Sequence, residues 1–203
     1  MNSNEEKIMA FWQWFVKNES TIKNCIENDI ETDREFVVEQ LNNHILGVGT
    51  LSWDIGLNDE NSWFFTVSPN GDRDLFKLSL EIMSYAPEHM DWVFNASKPA
   101  KNWDRFFNIN DQNLDPQFVD ASSWNYVAFE AEDGKAELIF EAANITHLDE
   151  ETAHEAANFF AVGELGESVK INLISSIAIV QQLNDEDQED KSPVSELREH
   201  LLS

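Results

Sequence analysis

The chain has 203 residues, with 39 Asp and Glu against 13 Lys and Arg, and a formal net charge of −26. That balance argues against functions that rest on attraction to phosphate, because nucleic-acid affinity comes mainly from Lys and Arg displacing counterions and an anionic membrane surface selects for the same residues. The length suits one domain, or one with an appendage, that folds without a metal or disulfide; Cys25 is the single cysteine.

The first element is a helix. Ile8, Phe11, Trp12, Phe15, Ile22 and Ile26 fall within about 100° of arc at helical spacing, an amphipathic stripe. Glu19 lies inside that stripe, which predicts a break near Asn18 or a carboxylate reaching solvent rather than a buried functional acid. Trp14 lies off the stripe and either packs on a neighbouring element or marks a contact surface. Thr32-Asp33-Arg34-Glu35 has the form of a capping box and predicts a second helix running to about Leu46, ended by Gly47 and Gly49. Without a preceding strand or a third glycine, Gly47-Val48-Gly49 reads as a helix end and not as a phosphate cradle.

From residue 50 the period becomes alternating. Leu51, Trp53, Ile55 and Leu57, then Trp63, Phe65 and Val67, describe a hairpin with one buried face. Ser68-Pro69-Asn70-Gly71 is a turn, and Asp72 caps a helix with Leu75, Leu78, Ile82 and Ala86 on its inner face, closed by Pro87. A strand at Trp92-Val93-Phe94-Asn95-Ala96-Ser97 follows. After a long connection, residues 98–123, the same order returns. Trp124 to Ala131 and Ala136 to Ala143 flank an Asp-Gly turn, a helix opens at Asp149 and ends at Gly163 and Gly166, and residues 169–180 read as a strand. These signals predict an α+β fold: two ββαβ units sharing one mostly antiparallel sheet with helices on one face, plus N-terminal helices. The expected divisions are a helical segment at 1–49, an α+β domain at 50–182, and an acidic linker with a short C-terminal helix at 183–203, the latter opened by Ser192-Pro193.

No motif selects a reaction. The helix start at Asp72 carries Asp72 and Asp74, which oppose anion binding there. His44, His89, His147, His154 and His200 lack zinc-site spacing, and Glu150, Glu151 and Glu155 beside His154 read as a solvated helix face. Cys25 reads as a half-buried thiol between Ile22 and Ile26. No catalytic residue, metal or cofactor is therefore assigned. The N-terminus lacks the form of a signal peptide and no window approaches a membrane span, so a soluble, cytoplasmic protein with no membrane or nucleic-acid partner is expected.

Charge is segregated along the chain. Lys98, Lys101 and Arg105 surround Trp103, a candidate binding corner, whereas residues 106–169 hold 14 acidic residues against one lysine. Glu130, Glu132, Asp133, Glu150, Glu151 and Glu155 form the candidate acidic face. Alternatively, the 98–123 connection covers the sheet and pairs its cations with nearby carboxylates.

At Phe11-Trp12-Gln13-Trp14-Phe15, Ser68-Pro69-Asn70-Gly71, Leu75-Phe76, Ala86-Pro87 and Trp92-Val93-Phe94-Asn95-Ala96-Ser97-Lys98-Pro99, the chain resembles a family of uncharacterised bacterial proteins. The resemblance covers the first half and, in element order only, the second; it implies no activity. In composition and architecture an acidic α+β chain is also similar to the regulator of ribonuclease activity B, which inhibits a ribonuclease by binding it. Three readings follow: an acidic interaction protein for a basic protein such as a nuclease or toxin; an enzyme or small-ligand binder with a pocket under the 98–107 loop; or acidity that serves solubility alone.

Overall fold

In the computed structural model, which describes residues 3–28, 31–88 and 90–203, the apolar stripe of the N-terminus forms one continuous helix, α1 (Ser3–Asn28). Ile8, Phe11, Phe15 and Ile22 are buried along it. Of the two readings of Glu19, the helix does not break at Asn18 and the carboxylate stays part-exposed, with Lys23 Nζ 2.7 Å away and the Trp92 indole donating to it at 3.0 Å. Trp14 is half-buried, with its ring 5.2 Å from that of His44.

Helix α2 (Glu31–Val48) begins before Thr32, so Thr32 lies in the first turn and is not the N-cap. Gly47 also lies within the helix, and Gly49 follows it where a Cβ would stand 2.6 Å from Leu78 Cδ2. Strands β1 (Ser52–Leu57) and β2 (Trp63–Ser68) pair antiparallel, Trp53 opposite Val67 and Ile55 opposite Phe65. Asn70 and Gly71, at φ 54° and 79°, turn the chain into α3 (Arg73–Ser84). The Asp72 side chain caps α3, accepting the Asp74 and Leu75 amides at 2.8 Å each. Strand β3 (Trp92–Asn95) then pairs parallel to β2. The Trp12 indole donates to the Ile82 carbonyl at 2.7 Å, fastening α1 to the end of α3 over a core that holds Phe11, Phe15 and Phe65.

The segment after residue 98, expected as one long connection, contains its own hairpin: β4 (Phe106–Asn110) and β5 (Pro116–Asp120). Strands β6 (Asn125–Glu130) and β7 (Ala136–Glu141) form the next hairpin, followed by α4 (Glu150–Leu165) and α5 (Glu167–Leu173). Strand β8 (Ile174–Val180) pairs parallel to β7, and β9 (Ser192–Pro193) pairs with β6, giving the order β8-β7-β6-β9. A 3-10 turn at Val194–Glu196 leads into α6 (Leu197–Leu202).

Two local expectations are corrected. Residues 169–173 are helical, not extended: five residues of alternation fit either period, and Gly166, at φ 85°, starts a new helical turn whose Lys170 amide reaches the Gly166 carbonyl at 3.1 Å. Gly163 does not end α4 but lies inside it, where a Cβ would stand 2.5 Å from the Trp103 ring.

The α+β class stands, with helices and open sheets. A single shared sheet does not form. Strands β1 to β3 make one sheet, β4 and β5 a second, and β6 to β9 a third; β9 occupies the edge of β6, and β3 pairs with β2 alone among the described residues. The chain divides into compact units at 1–98 and 99–203, so the expected divisions at 49/50 and 182/183 fall inside units. Each unit has an aromatic core, Phe11, Phe15 and Phe65 in the first, Trp124, Phe140 and Phe160 in the second. The reason is local: the N-terminal helices bury their stripe against the first sheet, and the C-terminal residues Val194 and Leu197 enter the core of the second.

The C-terminal acidic segment is likewise ordered, with a 3-10 turn at Asp187–Glu189. Glu141 holds it: the carboxylate accepts from Lys191 Nζ at 2.8 Å, Gln188 Nε2 at 2.7 Å and the Leu183 amide at 3.1 Å, while Asn125 of β6 donates at 3.2 Å. The lysine hydrogen bond, aided by these donors against the cost of burial, lowers the Glu141 pKa to about 2.

Candidate functional site

Trp103 and Arg105 of the proposed basic corner turn inward, and Lys101 stays exposed. Lys98 is exposed at the end of the first unit; Lys101, Trp103 and Arg105 belong to the second. The Lys101 amide donates to the Gly163 carbonyl at 2.7 Å, and its ammonium lies 5.2 Å from the Trp103 ring and 4.7 Å from that of Phe159. Trp103 packs beside Phe107 and Phe160, and its indole donates to Glu164 at 3.3 Å. Arg105 closes a two-point bond on the same carboxylate, Nε at 3.0 Å and a terminal nitrogen at 2.8 Å. The Glu164 side chain is 8% exposed, so this pair is shielded from solvent and its charge is internally balanced. The cations and the tryptophan thus seat the chain entering β4 on α4.

The six candidate acidic residues are all exposed but do not lie together. Glu130, Glu132 and Asp133 sit at the β6–β7 turn, where Glu130 opposes Ala136; Glu150, Glu151 and Glu155 lie on the first turns of α4, after the far end of β7, where Asn125 opposes Glu141. Six extended residues separate those ends by roughly 17–20 Å.

What the structure brings together instead is the β4–β5 hairpin. Phe107 and Val119 pair across it and are buried, while Phe106, Phe118 and Leu114 are exposed to 50%, 59% and 78%. The Phe106 and Phe118 rings lie 6.1 Å apart as diagonal neighbours on the outer face. Asp111 builds the turn, accepting the Asn113 and Asp115 amides at 2.8 and 3.0 Å and Gln117 Nε2 at 3.0 Å. Gln112 then donates to Glu151 at 2.7 Å, tying the hairpin tip to the start of α4. Residues 106–134 contain no Lys or Arg, so the exposed aromatics are set among Asp111, Asp115 and Asp120 with no cation from their own segment. The alternation of Phe107 with Ile109, and the turn residues between them and Val119, carried the signal for this hairpin in the sequence.

Beside it lies a cavity of about 910 Å³, bounded by Gln112, by Leu148, Asp149, Glu150 and Glu151 at the start of α4, and by Ile177, Ala178 and Ile179 of β8. Trp103 and Arg105, the ligand contacts expected of a pocket under the 98–107 loop, do not line it.

Other chemical candidates are occupied or apart. The α3 start carries the Asp72 cap on its amides. Cys25 is buried, and that burial pushes its thiol up, away from the reactive thiolate. Among the described residues no group of three or more His, Cys, Asp and Glu is arranged to hold a metal; His89 lies outside them. Among the described residues, no helix is long and apolar enough to cross a membrane. No protein-family model, no curated protein and no solved structure matches the chain.

Proposed function

We propose that the protein is an acidic interaction protein that engages, and by covering its surface inhibits or neutralises, a basic protein such as a nuclease or toxin. The observation that carries this reading is the β4–β5 face, where exposed Phe106 and Phe118 stand in a segment that contains carboxylates and no cation. Exposed aromatics supply the desolvated contacts that dominate binding energy, and the surrounding negative charge accelerates encounter with a positive surface while repelling nucleic acid. Arg105 is spent on Glu164 and does not weaken that field.

The test is binding by immobilised protein to a panel of purified basic nucleases and toxins at low and moderate salt. The double variant Phe106→Ser/Phe118→Ser is expected to keep the wild-type circular dichroism spectrum, since both side chains are exposed, and to lose binding by about 100-fold. Binding to no basic protein, or binding that survives the double substitution, would overturn the reading.

A further inference from the structure

The four-stranded sheet ends on β8, an edge with one irregularity at its start: Ile174 pairs with Ala136 but Ser176 with Glu137, so Ser175 is bulged. β8 reads Ile-Ser-Ser-Ile-Ala-Ile-Val over seven residues, without charge, proline or glycine. Its backbone pairs with β7 on one side, and among the described residues no backbone bond joins residues 174–179 to any element on the other. Natural sheets protect such edges with lysine, proline, a bulge or a covering segment, because unpaired amides and carbonyls otherwise template another strand; here the bulge lies at the start of β8 and residues 176–180 run in regular register beyond it. Ser175, Ser176 and Ala178 are exposed.

The 910 Å³ cavity runs along this edge. Ile177, Ala178 and Ile179 all line it, and consecutive strand residues, whose side chains alternate faces, can share a cavity only along the backbone margin. Its other wall begins α4, where Glu150 and Glu151 are exposed and Asp149 is the N-cap. These charges exclude an acidic occupant and favour Lys or Arg at that end of a trough that presents Gln112, His154 and Gln181 beside Ile145, Ile177 and Ile179.

We infer that the β8 edge accepts an extended segment of a partner protein as an added strand, with apolar residues over Ile177 and Ile179 and Lys or Arg facing Glu150 and Glu151. Main-chain hydrogen bonds supply affinity and the carboxylates select the sequence. This surface is separate from the Phe106 and Phe118 face and stands whether or not that face binds.

The probe is a short extended peptide, Val-Thr-Val-Thr-Lys, whose two valines and lysine share one face, titrated into the full chain with amide chemical shifts followed by NMR. Shifts concentrated on the amides of 174–180 and the first turn of α4 are expected. Three comparison arms are each expected to weaken binding about tenfold or more: the same peptide N-methylated at alternate residues, the same peptide with Glu in place of Lys, and the variant Glu150→Lys/Glu151→Lys. Phe106→Ser/Phe118→Ser is expected to leave it unchanged, which separates failure here from failure of the preceding reading. Equal binding of the N-methylated peptide overturns strand addition; equal binding of the peptide with Glu in place of Lys overturns the charge selection. Protection of the β8 amides that grows with protein concentration, without peptide, assigns the edge to a second copy and overturns the proposal.

Discussion

Arg105 and Glu164 lie 59 residues apart in the chain and make an ion pair with a buried carboxylate, which Trp103 shares. Removing the cation alone strands a buried charge, so Arg105→Ala is expected to destabilise the protein by about 3–5 kcal/mol, read by urea denaturation. Arg105→Lys keeps the charge but not the planar fork, and a loss of about 1–2 kcal/mol is expected. Glu141 makes a second prediction. Its pKa of about 2, against an ordinary 4.5, means that its bonds to Lys191 and Gln188 contribute stability above pH 4.5 and lose it as the pH falls toward 2. Amide exchange in residues 183–191 should therefore accelerate over that window, and Glu141→Gln should remove most of the pH dependence. Neither carboxylate differs in the sequence from its exposed neighbours; which glutamates are used depends on which cations the fold brings to them.

At the scale of elements, periodic segments were readable where one face is buried over several turns or a whole hairpin. The stripe of α1, the alternation of β1 and β2 and the Asp72 cap of α3 all follow from such local signals. The cap is expected to be worth about 1 kcal/mol, measurable as the stability difference between Asp72→Ala and wild type. Short or one-sided patterns misled: α5 reads as a strand, and the β4–β5 hairpin is hidden because its outer face carries Phe106 and Phe118 where polar residues would complete the alternation. Gly163 reads as a helix end although it permits close approach of Trp103 to α4. Gly163→Ala would place a methyl group against a rigid indole, and a loss of about 1–3 kcal/mol with altered Trp fluorescence is expected.

For the whole molecule, the net charge of −26 is carried unevenly, with 22 acidic and six basic residues in 99–203. Added salt is expected to raise the thermal midpoint by screening self-repulsion while slowing association with a basic partner; a salt-independent association rate would contradict electrostatic steering. The sequence by itself determined the α+β class, the major helices and both principal hairpins, because these depend on local periodicity, and the net charge of −26, which is a sum over residues. Only the tertiary structure decided that the sheets are separate, that Arg105 is paired with Glu164 while Lys101 lies over the Trp103 and Phe159 rings, that the acidic residues divide between the ends of β7, and that β8 is left as an edge. Those outcomes depend on pairings between residues far apart in the chain, and local chemistry does not determine which distant group arrives first at a carboxylate or a strand edge.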